Sequence, residues 1–336
     1  MEKQPNKKGG CCLIALVVLL VLTLAIVFCS YALYKSALSL IPRVEEEATL
    51  SLEEIEAIEN ETETMPEGFE AVDDVDMSGE DAELLESNDN IINILLIGQD
   101  RRPGESRQRS DSMILCTINT EKKTLVMTSF LRDLYVAFPD WNGRSYQDNR
   151  LNACYALGGM GMLNAALEKN FGIQVDHNME VDFSGFKEIV SLFGGVSINL
   201  TKAEANYLGQ GLKEGVNFLN PEQALNYSRI RYLDSDFGRT NRQRKVILSL
   251  FNSVKNMNVS ELTNLVTTIL PMVSTNMSDA DITNYMMKVL PILSELQITT
   301  QHIPADGTYR NVYIRGMAVL VPDLPANIAI LKETLR

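Results

Sequence analysis

Histidine and cysteine are scarce in this chain of 336 residues, and their spacing argues against two classes of site. His177 and His302 are its only histidines, and no two of its five cysteines form a Cys-X-X-Cys pair. A zinc site needs clustered Cys or His ligands, and a nucleophilic triad commonly needs a histidine, so we expect neither. Cys116 and Cys154 fall inside a predicted strand and a predicted helix, where we expect free thiols.

Basic residues are absent from 45–89, a segment that holds nineteen acidic residues. The net charge of the whole chain is −14, yet residues 90–336 are close to neutral. The acidity therefore belongs to one segment. High charge of one sign with few aromatic residues is typical of disorder, so we predict an acidic disordered stalk over 35–89. We expect no nucleic-acid partner.

No charged residue lies between Lys8 and Lys35, a run of 26 residues rich in Leu, Val, Ile and Ala. A helix of about 20 apolar residues spans a bilayer, whereas a cleaved signal peptide has a shorter apolar run of about 7–15 residues. We therefore predict a transmembrane signal anchor over 11–34. More basic residues precede it than follow it, so 1–10 is predicted to be a cytoplasmic tail and the rest extracytoplasmic. The expected location is the cell membrane, with a single pass.

The remaining residues, 90–336, contain no internal repeat and no second linker, which indicates one extracytoplasmic domain. Strands and helices alternate along it. Strands are predicted at 91–97, 112–119, 124–130, 180–183, 196–200 and 296–303, and helices at 149–157, 162–170, 186–193, 221–227, 239–257, 260–270, 279–290 and after Pro325. This order predicts an α/β fold, a three-layer α-β-α sandwich with a central mixed sheet, preceded by the one transmembrane helix.

Two carboxylates lie where predicted strands end and begin. Asp100 follows the first strand and Asp111 precedes the second, so neighbouring strand ends can bring them together. Paired oxygen ligands with room for water and phosphate suit Mg²⁺. The alternative reading is an ordinary solvated loop.

Arginines are dense between residues 229 and 243. Arg229 and Arg231 share a face if their segment is extended, and Arg239, Arg242 and Gln243 share a face of a predicted helix. A guanidinium grips phosphate oxygens bidentately, and a helix N-terminus favours anions, so these residues predict a phosphate clamp. Ordinary surface arginines are the alternative.

Seven segments in order between about 91 and 257 resemble the LytR-CpsA-Psr family of extracytoplasmic cell-wall ligases. They are Gly98-Gln99-Asp100-Arg101, Arg109-Ser110-Asp111-Ser112-Met113, Ser129 to Asp133, Leu151-Asn152-Ala153-Cys154-Tyr155 with Gly158-Gly159, Val181 to Phe186 with Gly194-Gly195-Val196, Ala224 to Arg231, and Asp236-Phe237-Gly238-Arg239 with Arg242-Gln243. The chain departs from the family pattern at Leu131, where a proline is usual, and at Arg150, where a lysine is usual.

The resemblance implies transfer of a glycopolymer from a polyprenyl-pyrophosphate carrier to peptidoglycan, typically to the C6 hydroxyl of N-acetylmuramic acid. The polymer could be of the teichoic acid or the capsule type. The resemblance also implies that Asp100 and Asp111 bind Mg²⁺, with Mn²⁺ as an alternative, and that an apolar groove holds the prenyl tail. The residues that correspond to the family's pyrophosphate site are Arg101, Arg109, Arg132, Arg229, Arg231, Arg239 and Gln243.

Two other functions stay open at this point. A polyprenyl-pyrophosphate hydrolase would use water in place of the sugar hydroxyl and would have a similar site. A non-enzymatic, membrane-anchored protein that binds wall polymers or regulates their attachment would not need the carboxylates or the metal. The general base is also open among Asp100, Asp111, Asp133 and Asp234.

Overall fold

The computed structural model describes residues 35–36, 38–43, 50–77, 81–99, 108–255 and 257–335. The predicted tail and membrane anchor lie outside these residues. Within the described part, no helix combines the length and hydropathy needed to cross a membrane. The helices and strands are α1 (Leu52–Glu59), β1 (Glu70–Ala71), β2 (Ile91–Gln99), β3 (Ser110–Asn119), β4 (Thr124–Phe130), β5 (Tyr135–Val136), β6 (Asn149–Arg150), α2 (Leu151–Phe171), β7 (His177–Val181), α3 (Phe183–Leu192), β8 (Val196–Leu200), α4 (Lys202–Leu208), β9 (Gly215–Leu219), α5 (Pro221–Ser228), α6 (Asp236–Val254), α7 (Val259–Ile269), β10 (Ser274–Thr275), α8 (Asp279–Val289), β11 (Gln297–Ile303), β12 (Tyr309–Ile314), β13 (Met317–Pro322) and α9 (Leu324–Thr334).

The central sheet is mixed, as predicted, with strand order β10-β7-β2-β3-β4-β11. The pairs β2–β3 and β3–β4 are antiparallel, whereas β2–β7 and β4–β11 are parallel. The end of β2, the start of β3 and the ends of β4, β7 and β11 therefore lie along one edge. That edge receives the charged segments that follow or precede these strands.

Helices cover both faces of this sheet because its central strands are apolar on both sides. Leu95 and Ile97 of β2 belong to the main core with α2, and the rings of Phe130 and Phe171 lie 5.6 Å apart there. Leu96 of β2 points to the opposite face and packs in a cluster with residues of α6. Cys116 and Cys154 are free thiols, as predicted.

The acidic segment differs from the predicted disordered stalk wherever it is described. Residues 50–63, which we call the acidic arm, contain α1 and lie against the domain, and β1 pairs with β12. Ile55 is buried in the main core, and Glu59 lies 3.0 Å from Arg144. Composition predicts disorder because it counts only the segment's own charges, whereas distant arginines neutralise them here.

Shortening Ile55 to alanine is expected to lower the free energy of unfolding by about 2–4 kcal/mol, because the methyl groups removed lie in the main core. Leu52→Ala is the matched control on the same helix, since Leu52 is 70% exposed and its loss is expected to cost no more than about 0.5 kcal/mol. Urea unfolding of both variants gives the comparison. Equal stability of the two variants would mean that the arm does not pack in solution.

Element α2 consists of two helical segments, as predicted. Gly158 and Gly159 have non-helical backbone angles, so the first segment ends there and the second continues beyond a kink. Gly159 has a φ of 58°, and a Cβ on Gly158 would lie 2.7 Å from the indole nitrogen of Trp141. The glycines therefore separate the two segments and also make room for Trp141.

The longer elements of the domain that were not predicted are the strands β9, β12 and β13 and the helix α4; the two-residue strands β1, β5, β6 and β10 were not predicted either. The β12–β13 hairpin turns at Arg315 and Gly316, both with positive φ. Two consecutive residues with positive φ suit a two-residue hairpin turn, but the usual sequence signal is Asn-Gly or Asp-Gly. The turn was not predicted because its first position is an arginine, which is not part of that signal.

Candidate active site

Asp111, near the start of β3, is surrounded by three arginines from distant parts of the chain. Its Oδ1 atom lies 3.0 Å from a guanidinium nitrogen of Arg231, 3.3 Å from one of Arg132 and 4.0 Å from one of Arg239. Arg239 also donates to the Asp111 carbonyl oxygen at 3.4 Å. We call these three side chains the arginine cluster. The structure therefore brings together four of the residues predicted for the site.

The arginine cluster also forms ion pairs with two further carboxylates, Asp133 and Asp236. Arg132 lies 3.3 Å from Asp133 and 3.7 Å from Asp236, and Arg239 lies 2.7 Å from Asp236. Burial alone would lower the pKa of Arg132, but the surrounding carboxylates outweigh it and raise that pKa. Burial also raises the pKa of Asp236, against the opposing effect of Arg239. Asp236 has no predicted role within its sequence motif, whereas the structure places its carboxylate against two arginines of the cluster.

Several buried polar atoms at the cluster have no hydrogen-bond partner among the described residues. They include Nε and one terminal nitrogen of Arg239, a side chain that is only 2% exposed, Oδ2 of Asp236 and Oε1 of Gln243. Arg239 and Gln243 line the large cavity described below. Buried polar atoms are normally hydrogen-bonded, so these atoms mark a place where a polar ligand fits.

Arg242 does not join the cluster, although its helical spacing predicted that it would share a face with Arg239. Its guanidinium donates to both carboxylate oxygens of Asp234, at 2.6 and 2.9 Å, and to the carbonyl oxygen of Ile230 at 2.9 Å. Glu204 accepts a further bond at 3.4 Å. Arg242 therefore fixes the segment that carries Arg231. Because Asp234 is occupied in this way, it is a poor candidate for the general base.

An apolar cavity of about 750 Å³ opens beside the arginine cluster. It lies between the sheet edge and helices α3, α4, α5, α6 and α7. Arg229 lines it with its guanidinium 4.4 Å from the centre of the Phe183 ring. The apolar residues that line it are Leu96, Ile97, Ile114, Met179, Val181, Phe183, Phe186, Ile189, Leu208, Leu225, Ile247, Leu250, Ile269 and Val273, and its polar end includes Asp111, Arg229, Arg231, Arg239 and Gln243.

Arg109 is held by the acidic arm. It forms an ion pair with Glu61 and donates to the carbonyl oxygen of Ile58 at 2.8 Å. Burial, followed by repulsion from Arg150, lowers the pKa of Arg109 to about 10. The acidic arm therefore supplies its hydrogen bond and ion pair, while Asp133 and Arg132 act on it electrostatically.

The other predicted residues of the site, Asp100 and Arg101, lie outside the described residues. Among the residues that are described, no group of three or more His, Cys, Asp or Glu side chains could hold a metal ion. All the side-chain contacts of the Asp111 carboxylate in the described part go to Oδ1, which leaves Oδ2 available to a ligand.

The chain is similar to known proteins over more than half of its length. The model of the LytR_cpsA_psr family matches residues 51–334. The regulatory protein MsrR of Staphylococcus aureus is 31% identical over 229 residues, which cover 67% of this chain and 68% of MsrR. The polyisoprenyl-teichoic acid–peptidoglycan teichoic acid transferase TagU of Bacillus licheniformis is 36% identical over 196 residues, or 57% of this chain and 61% of TagU.

A solved structure supports the same assignment. The protein gbs0355 of Streptococcus agalactiae superposes with a TM-score of 0.62 and 27% identity, over 73% of this chain and 88% of that protein. The family model begins at residue 51, at the acidic arm, so the arm is part of the family domain. The match extends from the arm through the arginine cluster to α9, and the chain belongs to the LytR_cpsA_psr (LytR-CpsA-Psr) family.

Proposed function

We propose that the protein is a phosphotransferase that moves an anionic glycopolymer from a polyprenyl-pyrophosphate carrier to a hydroxyl group of peptidoglycan. The single observation that supports this most is an apolar cavity that ends at the arginine cluster. Such a site suits a long apolar tail joined to a charged head group, because the cavity can hold the tail while the arginines bind the head group. The name of TagU, a teichoic acid transferase to peptidoglycan, supports the class of reaction.

In the proposed reaction, a sugar hydroxyl oxygen attacks the phosphorus that carries the glycan. The bond between that phosphorus and the bridging oxygen breaks, polyprenyl phosphate leaves, and the hydroxyl proton passes to a carboxylate. The arginine cluster stabilises the charge that develops on the phosphate oxygens, and it is held in position before the substrate arrives. Asp133 and Asp236 are the carboxylates around Arg132 that can accept the proton. Asp111 is a poor base if it binds the cation proposed below.

The charge balance of the site supports a divalent cation, Mg²⁺ or alternatively Mn²⁺. The arginine cluster and Arg229 oppose three carboxylates, so these described side chains leave little net charge to neutralise a pyrophosphate. Oδ2 of Asp111 is suited to bind Mg²⁺, which commonly takes one or two carboxylates together with substrate phosphates. Asp100 is the proposed second ligand. The cation would supply Lewis-acid stabilisation of the phosphate oxygens.

The lipid carrier also supports the proposed location. A polyprenyl tail stays in the bilayer, so an enzyme that uses it must work at the membrane surface. Residues 11–34 are the proposed single-pass anchor, with the N-terminus cytoplasmic and the domain extracytoplasmic. Peptidoglycan, the proposed acceptor, lies on that same side.

The experiment that tests the proposal uses the full-length chain in detergent, a polyprenyl-pyrophosphate oligosaccharide, Mg²⁺ and peptidoglycan fragments, with products identified by mass spectrometry. The expected product is a glycan joined to peptidoglycan through a phosphate. Release of polyprenyl phosphate without that adduct would favour the hydrolase. Binding of the lipid without any turnover would favour a binding or regulatory protein.

Filling the cavity is expected to weaken binding of the prenyl tail without affecting binding of the pyrophosphate head group. Ile189→Trp places a large ring in the cavity wall, and displacing about one isoprene unit is expected to raise the Kd of a long-chain prenyl pyrophosphate about 10- to 100-fold. Dimethylallyl pyrophosphate, whose tail is a single isoprene unit, is expected to bind unchanged. Ile189→Val is the matched control. Calorimetry with both ligands gives the values, and an equal loss for both would contradict a role of this cavity in holding the tail.

A further inference from the structure

The segment between α5 and α6 presents an aromatic ring to solvent next to the arginine cluster. Tyr232 is 88% exposed, more than any other large apolar or aromatic side chain in the described residues. The residue before it, Arg231, contacts Asp111 at 3.0 Å. Single exposed apolar residues are common and need no explanation. Tyr232 does need an explanation, because it lies next to a residue of the arginine cluster and at the cavity.

The backbone that carries Tyr232 is fixed on both sides. Arg242 donates to the carbonyl oxygen of Ile230 before it and to the carboxylate of Asp234 after it. Gly238 lies so close to Asp234 that a Cβ there would approach the carboxylate to 2.2 Å. The backbone conformation at Tyr232 is therefore fixed before any ligand binds. Such preorganisation is what a binding residue needs, since little entropy is lost on binding.

The chemistry of the proposed donor determines what reaches Tyr232. With the prenyl tail in the cavity and the pyrophosphate at the arginine cluster, the glycan extends outward from the polar end of the cavity. Its first sugar is bonded directly to the phosphate, so this sugar lies beside Arg231. Tyr232 lines the same cavity at this end.

We propose that Tyr232 is the aromatic floor of a subsite for the first sugar of the glycopolymer. A pyranose ring has an apolar face of C–H groups, and a tyrosine ring offers a flat apolar surface that loses little conformational entropy on binding. The proposal rests on the proposed function, because it needs a glycan attached to the pyrophosphate. It goes further in assigning recognition of the sugar to a residue outside the charged cluster.

The test measures the affinity of the full-length chain in detergent for two probes of equal prenyl length. One is a prenyl pyrophosphate without a sugar, and the other carries an N-acetylhexosamine on its terminal phosphate. Tyr232→Ala is expected to raise the Kd of the sugar-bearing probe about 5- to 10-fold and to leave the sugar-free probe unchanged. Tyr232→Phe keeps the ring and is expected to bind both probes as the natural protein does.

Phe218→Ala is the matched control, since Phe218 is an exposed aromatic residue outside the cavity lining and its loss is expected to affect neither probe. An equal loss for both probes in Tyr232→Ala, or no loss for either, would overturn the subsite and leave the proposed function standing. If the natural protein binds neither probe, the proposed function fails and the subsite with it.

Discussion

Arg231→Ala is expected to lower kcat/KM for polymer transfer by about 100- to 1,000-fold, the usual cost of removing one preorganised donor to a developing oxyanion. Arg231 reaches Asp111 from a separate segment of the chain, at the polar end of the cavity. Its side chain is 46% exposed. The fold should therefore tolerate the change, with a loss of stability within about 0.5 kcal/mol. Activity and stability are expected to separate in this variant.

The measurement is the rate of adduct formation, with thermal unfolding of each variant recorded beside it. Arg144→Ala is the matched control, because Arg144 is an arginine of similar exposure that pairs with Glu59 and not with Asp111. Arg231→Lys keeps the charge but loses the planar fork, so it is expected to recover only part of the rate. Near-normal transfer by a folded Arg231→Ala protein would remove this residue from the mechanism.

Three neighbouring strands of the central sheet, β2, β3 and β4, were predictable from sequence because they are largely apolar and buried. The runs that form β2, β3 and β4 are bounded by polar turns, and their predicted and observed positions agree within a few residues. The same pattern placed Asp111 directly before the second strand, and the structure has it as the second residue of β3. Elements whose signal depends on a turn, such as β12 and β13, were missed because Arg315 occupies the turn.

Local spacing already predicted a phosphate clamp with Arg231 and Arg239, but their meeting with Asp111 and Arg132 was predictable only through the family resemblance. Arg231 and Arg239 lie 120 and 128 residues from Asp111, and no local pattern joins positions so far apart. The helical spacing itself misled at Arg242. Residues three apart on a helix share a face in general, but the long side chain of Arg242 is captured by Asp234 and Ile230.

The acidic arm shows why composition failed for residues 50–63. Each of three arm glutamates meets one arginine of the domain: Glu59 meets Arg144, Glu61 meets Arg109 and Glu63 meets Arg150. Those arginines lie 48–87 residues away in sequence. A charge count along the sequence does not include such long-range ion pairs. The arm would repel itself in isolation, but these arginines neutralise it in the folded protein.

Removing Arg242 is expected to cost both stability and activity. Its guanidinium is 2% exposed and joins four groups: Asp234, Ile230, Glu204 and, through the segment it fixes, Arg231. Arg242→Ala leaves the buried Glu204 carboxylate without its cation, and breaking a buried pair in this way costs about 3–5 kcal/mol. A loss of that size can unfold a domain. Arg242→Ala alone would therefore not separate a positioning role from a purely structural one.

Gly238→Ala separates the two roles, because it removes no charged group and leaves the buried pair of Arg242 with Glu204 in place. The added Cβ would meet the Asp234 carboxylate at about 2.2 Å, so Asp234 must move away from Arg242 while Glu204 keeps its partner. We expect kcat to fall by about 10- to 100-fold, the cost typical of misplacing a group by about an ångström, with KM for the lipid changed far less. Urea unfolding should show a smaller loss than Arg242→Ala.

The control for this experiment is Ser235→Ala, a change in the same segment at a helix N-cap whose side chain makes no capping hydrogen bond. It is expected to leave kcat, KM and stability close to those of the natural protein. If Gly238→Ala lowers stability but leaves kcat intact, Arg242 and Asp234 serve the fold alone. A fall in kcat without a matching fall in stability means instead that the buried arginine acts at a distance on the arginine cluster, by holding Arg231 against Asp111.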